Sequence, residues 1–330
     1  MGKEEGRMLH ALITGGAGFI GSHLAEGLLA EGWRVTVIDD LSTGSMDNIA
    51  HLVGLDRFQF AIETISNETV MDRLVSECDV IYHLAAAVGV ELIIKKPVHV
   101  IETNIIGTEY VLRIANRYRK KVLIASSSEI YGKGNSVPFK ENDDRVLGPT
   151  TRSRWSYSCS KAVDEFLALA YWHEKKLPVT IFRLFNTVGP RQTGRYGMVV
   201  PRFVRQALNG EPLTVFGSGQ QTRCFANVRD VVQAIIALST STLDGGEIFN
   251  IGSNEEITIV ELARRIITLT GSDSEIEIIP YEKAYEKGFE DMLHRFPDIR
   301  KIRDFIGWTP RTCLNDTLKE IIEHMRKEIE

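Results

Sequence analysis

A tyrosine and a lysine at helical spacing, together with a serine cluster, are the residues of this chain best suited to acid–base chemistry. Tyr157 and Lys161 are four positions apart, so on a helix they lie one turn apart on the same face. A neighbouring ammonium favours the phenolate and lowers the pKa of the phenol. Ser127 follows a predicted strand and can hydrogen-bond the same reacting oxygen. The pattern predicts a tyrosine that accepts a proton from a substrate hydroxyl.

A second pair, Tyr171 and Lys175, has the same spacing. It falls at the far end of the same predicted helix, where an aromatic side chain more often packs in a core. We favour Tyr157 because it opens the helix and follows serines at the carboxyl end of a strand. Glu129, two residues after Ser127, is either a functional acid or a surface or capping carboxylate.

A dinucleotide fingerprint stands at the start of the chain. Residues 11–21 run from an apolar strand into G-x-x-G-x-x-G and then a helix, with its glycines at Gly15, Gly18 and Gly21. These glycines allow a tight turn, close approach to a pyrophosphate and close helix packing. Asp39 and Asp40 end the next strand, where a carboxylate accepts ribose hydroxyls and repels a 2′-phosphate. The sequence therefore predicts NAD rather than NADP as cofactor.

The elements that must position these residues alternate between strand and helix in the first half of the chain. Short strands that are apolar on both faces indicate a buried parallel sheet. The predicted strands are 9–14, 34–38, 57–62, 80–84, 121–126 and 179–184, and the predicted helices are 20–30, 69–76, 98–117 and 158–174. The fold class expected is α/β: a Rossmann-type doubly wound parallel sheet with ligands at the carboxyl ends of its strands.

The second half is less regular and predicts a smaller α/β domain made of separated segments. Its expected strands are 213–216, 247–251 and 275–279, and its expected helices are 201–209, 230–238, 259–268 and 314–328. We expect an NAD-binding domain over 1–187 with a returning segment at about 228–252. The substrate domain would comprise 188–227 and 253–330, with a cleft between the two.

Composition excludes several classes of function. The 330 residues carry a net charge of −5, with 43% hydrophobic and 25% charged residues, which are ordinary enzyme values and offer no basic surface for nucleic acid. No apolar run approaches the length of a membrane span, and residues 1–10 are charged rather than signal-like. The four scattered cysteines form no C-x-x-C pair, so disulfides and metal are not expected. We expect a cytoplasmic protein.

Together these motifs resemble the extended short-chain dehydrogenase/reductases, and within them the nucleotide-sugar epimerases, decarboxylases and dehydratases. The resemblance covers nearly the whole chain. Its markers are Gly15–Gly21, Asp39–Gly44, Tyr82–Ala86, Ser127–Gly132, Tyr157 with Lys161, Arg183–Arg191 and Gln221–Arg223.

The resemblance implies a UDP-sugar substrate, bound NAD, a homodimer formed through a helix bundle of the NAD domain, and a set of site residues. The catalytic residues would be Ser127, Tyr157 and Lys161, with Glu129 added. The cofactor-binding residues would be Gly15, Gly18, Phe19, Ile20, Gly21, Asp39, Asp40, Ser42, Thr43, Gly44, Leu84, Ala85, Ala86 and Asn104, with Tyr157 and Lys161. The substrate-binding residues would be Ser128, Asn186, Arg191, Val200, Leu213, Val215, Phe216, Arg223 and Arg295.

One departure concerns adenine. The family usually has Gly-Asp after the third strand, and this chain has Glu63-Thr64 there. Two arginines bear on the sugar instead. Arg295 resembles an arginine that UDP-glucuronate decarboxylases bring near the sugar carboxylate, or it is a surface arginine before a turn. Arg191 resembles a carboxylate-binding group of UDP-glucuronate epimerases.

The resemblance implies one first step and three outcomes. Tyr157 would deprotonate the sugar 4-hydroxyl while C4 passes a hydride to NAD. The 4-keto sugar then inverts at C4, loses carbon dioxide if C6 is a carboxylate, or loses water in a 4,6-dehydratase. We favour a UDP-glucose or UDP-glucuronate 4-epimerase, because residues 148–157 and 183–202 most resemble the corresponding segments of those epimerases. Glu129 and Arg295 favour decarboxylation instead. A remote alternative is an inactive protein that binds NAD and acts as a regulator.

Overall fold

A seven-stranded, fully parallel sheet organises the molecule. The computed structural model describes residues 7–134, 136–194, 197–284 and 292–329. The sheet strands are β1 (His10–Thr14), β2 (Arg34–Asp39), β3 (Phe58–Ile62), β4 (Val80–His83), β5 (Lys121–Ser127), β6 (Val179–Leu184) and β11 (Glu247–Ile251). Their order is β11-β6-β5-β4-β1-β2-β3. The order reverses direction between β1 and β4, and that crevice is where ligands bind in such sheets.

Helices cover both faces of the sheet. The larger helices of this lobe are α1 (Phe19–Ala30), α2 (Glu68–Glu77), α4 (Pro97–Tyr118), α5 (Arg154–Lys175) and α7 (Val228–Thr240), with the short α3 (Val90–Lys95) before α4. One buried cluster joins α1 and α7 to the sheet, and a second joins α2, α4 and α5 to its other face. The predicted doubly wound α/β fold is confirmed.

A smaller lobe has its own apolar core. Its helices are α6 (Val199–Leu208), α8 (Ile259–Thr270), α9 (Tyr281–Ala284) and α11 (Leu314–Ile329). Helix α10 (Arg300–Ile306) instead packs on the core of the large sheet through Ile302. Its strands pair in twos: β8 (Leu213–Phe216) with β13 (Ile276–Ile279), β9 (Thr222–Cys224) with β12 (Glu256–Thr258), and β7 (Thr187–Val188) with β10 (Ala226–Asn227). The predicted returning segment contains α7 and β11, while the exact division into two domains stays a prediction.

Two local differences from the predicted elements bear on the site. Helix α5 begins at Arg154 rather than at residue 158, so Tyr157 lies within its first turns. Helix α3 was not predicted, because six residues are too few to establish a helical period. Among the described residues, no helix combines the length and apolar character that crossing a bilayer requires.

Candidate active site

A cleft of about 600 Å³ runs along the carboxyl ends of the strands and reaches the smaller lobe. Most of the predicted site residues line it: Gly15, Gly18, Phe19, Ile20, Gly21, Asp39, Asp40, Ser42, Thr43, Leu84, Ala85, Ala86, Ser127, Glu129, Tyr157, Lys161, Asn186, Val200, Phe216, Arg223 and Arg295. The topology therefore brings together residues that lie almost 300 positions apart in sequence.

The glycine-rich loop has the shape that a dinucleotide requires. A Cβ at Gly21 would stand 2.2 Å from the carbonyl oxygen of Gly15, and a Cβ at Gly15 would stand 2.8 Å from the backbone of Ala85. A side chain at either position would collide with this backbone, so the close approach requires glycine. Helix α1 begins here with no side-chain cap on Gly18, so its first N–H groups and its dipole face the cleft, as pyrophosphate binding needs.

Asp39 shapes this loop as well as facing the cleft. Its carboxylate accepts hydrogen bonds from the backbone N–H groups of Ala17, at 3.0 Å, and Leu41, at 2.9 Å. Burial raises the pKa of Asp39, and these two hydrogen bonds oppose the rise. Asp40 accepts from the backbone N–H of Ser42 at 2.9 Å and is more exposed. Asp39 therefore links the end of β2 to the glycine-rich loop.

The adenine end departs from the family pattern, as expected. Glu63 and Thr64 line the cleft, but the Glu63 carboxylate accepts from the Thr64 backbone at 2.8 Å and from Asn67 Nδ2 at 3.1 Å. Its oxygens are thus engaged in shaping the turn before α2.

Tyr157 and Ser127 meet where α5 crosses the end of β5. Tyr157 is buried, and burial raises its pKa, while the neighbouring Lys161 ammonium and a hydrogen bond with Ser127 lower it. Glu129 opposes them and Arg295 assists them. Burial outweighs these groups, so the pKa of Tyr157 is raised overall. The positive charge of Lys161 reduces, without cancelling, the cost of burying a phenolate.

Lys161 has a partner that sequence reasoning missed. Its ammonium donates to Asp164 Oδ2 at 3.0 Å, and both side chains are almost fully buried. Burial lowers the pKa of Lys161, but Asp164 and the Tyr157 oxygen outweigh it, so that pKa is raised. Lys161 therefore stays charged inside the protein. The i,i+3 spacing was the available signal, although spacing alone does not reveal burial.

Glu129 lies between two arginines. Arg154, in the first turn of α5, approaches Glu129 Oε2 at 3.1 Å, and Arg295 approaches Oε1 at 3.1 Å. Arg295 also donates to Ser128 Oγ at 2.9 Å. Arg154 was not among the predicted residues, although it stands three positions before Tyr157. The cluster places two guanidinium groups and one carboxylate beside the reacting tyrosine.

The smaller lobe supplies an aromatic and cationic wall. The Arg202 guanidinium stacks 4.1 Å from the centroid of the Phe216 ring, and the Tyr281 ring packs over Gly217. Phe216 and Tyr281 both line the cleft. Leu213 and Val215, predicted to contact the substrate, are instead fully buried in the core of this lobe. Alternation along β8 explains the correction, since residues 214 and 216 share the face opposite to theirs.

Four other predicted residues do not line the cleft either. Arg191 pairs with Glu26 of α1 at 2.5 Å, away from the other predicted substrate residues. Asn104 holds the loop after β4 through the backbone of Ala87. Gly44 packs against Asp39, and the Ser128 hydroxyl accepts a hydrogen bond from Arg295. Residues 285–291, which precede Arg295, lie outside the described residues.

Tyr171, the tyrosine of the competing pair, packs against the core cluster beneath α5 rather than in the cleft. Burial raises its pKa, and no lysine lowers it. Of the two tyrosine–lysine pairs, Tyr157 and Lys161 are the pair that lines the cleft.

A Rossmann sheet with this glycine-rich loop and a cleft-facing tyrosine–lysine pair defines an extended short-chain dehydrogenase/reductase. Within that class, the GDP-mannose 4,6 dehydratase family matches residues 12–321, and the chain belongs to this family.

The relatives distinguish among the reactions of the class. The chain is 45% identical over 317 residues to a UDP-N-acetyl-alpha-D-glucosaminuronate decarboxylase of Bacillus cytotoxicus, covering 96% of this chain and 97% of the relative. It is 38% identical to UDP-glucuronic acid decarboxylase 1 of Xenopus tropicalis, covering 97% and 72%. Among solved structures, the UDP-glucuronic acid 4-epimerase of Bacillus cereus, in complex with UDP-glucuronic acid and NAD, superposes with a TM-score of 0.88 at 28% identity, covering 97% and 100%.

These relatives confirm NAD as the cofactor of the family. They also show that the preference for a 4-epimerase, an isomerase, is wrong, because the relatives with higher identity are decarboxylases. The segments that suggested an epimerase belong to the architecture that these enzymes share. Glu129 and Arg295 are the two residues that favoured decarboxylation in the sequence, and they form an ion pair in the structure.

Proposed function

We propose that this protein is an NAD-dependent decarboxylase of a UDP-linked hexuronate, with UDP-glucuronate as the reference substrate. The observation that carries the proposal is the guanidinium of Arg295 beside Tyr157, within the cleft and next to Glu129. A guanidinium recognises a carboxylate through charge-assisted and often bidentate hydrogen bonds. The decarboxylase relatives give independent support.

The reaction follows from what each side chain can do. Tyr157 accepts the proton of the sugar 4-hydroxyl, and Ser127 holds that oxygen. NAD, when bound, accepts the hydride of C4 and later returns it. The resulting ketone at C4 makes the C6 carboxylate a β-keto acid. Its C5–C6 bond then breaks, carbon dioxide leaves, and the electron pair passes into an enolate over C5, C4 and the ketone oxygen.

The second half of the reaction restores the enzyme. Protonation at C5 by a proton taken up from solvent and return of the hydride to C4 give a UDP-pentose, and Tyr157 returns its proton to the 4-oxygen. Lys161, kept charged by Asp164, stabilises the phenolate in between. Overall one hexuronate carboxylate and one proton give one pentose and one carbon dioxide, with no net oxidation.

The remaining residues of the cleft suit the rest of such a substrate. We assign the uracil to the wall of Phe216, Tyr281 and Arg202, because an aromatic ring and a guanidinium plane both stack on a base. Asn186 and Arg223 also line the cleft, and we assign the diphosphate to them because an amide and a guanidinium can donate hydrogen bonds to phosphate oxygens. The assignments of catalytic and cofactor-binding residues are part of the same proposal.

The decisive experiment is incubation with UDP-glucuronate, with products read by NMR and released carbon dioxide measured. The expected result is a UDP-pentose and an equal amount of carbon dioxide, with no external reductant required. A parallel reaction with UDP-N-acetylglucosaminuronate tests the substituent at C2, and UDP-glucose, which lacks the carboxylate, is the negative control. A C4-inverted hexuronate formed without carbon dioxide would refute the proposal.

We also propose that the protein is a homodimer through α4 and α5. These helices pack together and expose large apolar side chains: Val98 at 66%, Ile106 at 46%, Val163 at 42% and Phe166 at 62%. A row of this kind is typical of an interface. Sedimentation of the wild type and of Phe166→Glu tests the proposal, and a wild-type monomer would contradict it.

A further inference from the structure

Asp164 contacts neither substrate nor cofactor in the reaction described above, yet its carboxylate accepts a hydrogen bond from Lys161 Nζ at 3.0 Å. We infer that Asp164 is a positioning residue for this reaction: it fixes the Lys161 ammonium one turn from Tyr157, keeps the proton on that ammonium, and thereby sets the alkaline limit of activity. The inference rests on the proposed function for its activity measurement, and a second measurement needs no substrate.

The geometry makes Asp164 act through Lys161. The two residues lie three positions apart on α5, a spacing that places their side chains on one face of the helix. Their side chains are 4% and 1% exposed. Lys161 lines the cleft, whereas Asp164 is outside the residues that line it. An ammonium buried to this degree needs a paired carboxylate to remain charged.

The charged groups around Lys161 single out Asp164. Burial lowers the pKa of Lys161, and Asp164 is the largest of the groups that raise it, ahead of Tyr157 and Glu165. Glu165 has a cation of its own, because Arg183 Nη2 lies 2.7 Å from its Oε2. Tyr157 carries a negative charge only after it has released its proton. Asp164 is therefore the carboxylate on which the charge of Lys161 depends.

His83, at the end of β4, is a further titratable group facing Lys161, and it is neutral. Burial lowers the pKa of His83 to about 3, and the Lys161 ammonium lowers it as well. The ring nitrogens of His83 form hydrogen bonds with the hydroxyls of Thr14, at 2.8 Å, and Thr108, at 3.0 Å. Burial raises the pKa of Asp164, and the ammonium opposes the rise. His83 therefore does not compete with Lys161 for the Asp164 carboxylate.

The first test measures the rate of carbon dioxide release against pH. Asp164→Asn leaves the Lys161 ammonium buried without its carboxylate, so Lys161 loses its proton at a lower pH. Tyr157 then loses the cation that lowers its pKa. We expect the rate of the variant relative to the wild type to fall at least about 10-fold between about pH 6.5 and about pH 9. A merely structural role for Asp164 predicts a ratio that does not change with pH.

Three further variants isolate the proton on Lys161. The double variant Asp164→Asn/Lys161→Arg, compared with Lys161→Arg, should show a ratio independent of pH, because a guanidinium stays protonated. Asp164→Glu keeps the negative charge, so its ratio should fall less than that of Asp164→Asn. Glu165→Gln is the matched control: it removes a buried carboxylate that pairs with a guanidinium, and its ratio should change less than about 3-fold. A pH-independent ratio in Asp164→Asn, or an equal fall in the double variant, would overturn the inference.

Urea unfolding of the NAD-loaded protein follows the same proton without substrate. In Asp164→Asn the unfolded chain keeps the lysine protonated at pH values where the folded protein has released the proton, so the stability of the variant rises with pH relative to the wild type. The difference between their unfolding midpoints should shrink from about pH 7 to about pH 9, and a constant difference would count against the inference. If the difference shrinks while the wild type releases no carbon dioxide from UDP-glucuronate, the proposed function fails and the role of Asp164 stands.

A second variant covers the case in which Asp164→Asn does not fold. Lys161→Met leaves the Asp164 carboxylate buried without its cation, so the pKa of Asp164 rises further and the folded protein holds a proton that the unfolded chain has released. The stability of Lys161→Met relative to the wild type should therefore fall from about pH 5 to about pH 8. An unchanged difference over this range would show that the two side chains are not coupled, and the inference would be wrong.

Discussion

Replacing Glu165 with glutamine is expected to lower the free energy of unfolding by about 3 kcal/mol. Glu165 lies on α5 and accepts two hydrogen bonds from Arg183 of β6, from Nε at 2.9 Å and from Nη2 at 2.7 Å. It also accepts from Ser126 Oγ, the residue before Ser127. Both charged side chains are almost fully buried. This pair therefore ties the catalytic helix to the strand ends that carry the site.

The magnitude follows from what the glutamine leaves behind. Removing one partner of a buried ion pair costs about 3–5 kcal/mol, because the other charge stays buried without compensation. The lower end applies here, since a glutamine oxygen still accepts one hydrogen bond. Arg183 Nη1 also keeps Tyr131 Oη and the backbone oxygen of Glu141, each at 2.8 Å.

Urea unfolding followed by circular dichroism measures the loss, with Glu174→Gln as the control. Glu174 is exposed on the same helix, so its substitution should change stability by less than about 0.5 kcal/mol. The double variant Glu165→Gln/Arg183→Met should be more stable than Glu165→Gln alone, because it removes the uncompensated charge. A loss below about 1 kcal/mol for Glu165→Gln, as for an exposed pair, would refute the reasoning.

Three further predictions concern catalysis and cofactor choice. Tyr157→Phe should lower the rate of carbon dioxide release at least about 100-fold while leaving UDP affinity unchanged, whereas Tyr171→Phe should be close to wild type; similar losses in both would contradict the assignment. Lys161→Met removes the cation that lowers the pKa of Tyr157. The pKa of Tyr157 should therefore rise, and the acid limb of the pH–rate profile should move to higher pH. A move to lower pH would contradict this role of Lys161. Asp39→Ala should narrow the ratio of NAD to NADP affinities, measured by titration, because the carboxylate that repels a 2′-phosphate is gone; an unchanged ratio would point to Asp40.

The sheet and the main helices could be predicted from sequence because buried parallel strands and amphipathic helices carry their pattern locally. Strand β6 was predicted over its full length, and β8 likewise. The faces of β8 were not resolved, although period-two alternation separates Phe216 from Leu213 and Val215. Local pattern specifies elements more reliably than it specifies which of their residues reach a cleft.

The polar partners of the site could not be predicted, because they depend on distances across the fold. Arg154 is near Tyr157 in sequence, but its contact with Glu129 depends on how α5 meets the end of β5. Arg191 matched a family motif, yet it pairs with Glu26 of α1. In both cases burial and the position of a distant carboxylate decide the role of the arginine, and neither is encoded in spacing.

The choice among epimerase, dehydratase and decarboxylase cannot be made by the fold, because one architecture serves all three chemistries. A solved 4-epimerase and a solved 4,6-dehydratase superpose on this chain with TM-scores of 0.88 and 0.85. All three reactions share the oxidation at C4, which we propose is the work of Tyr157, Lys161 and Ser127. They diverge at C5 and C6, the part of the sugar that we propose lies beside Arg295. Under that proposal the C6 carboxylate belongs to a β-keto acid once C4 is a ketone and leaves as carbon dioxide, so the arginine that binds the carboxylate also favours decarboxylation.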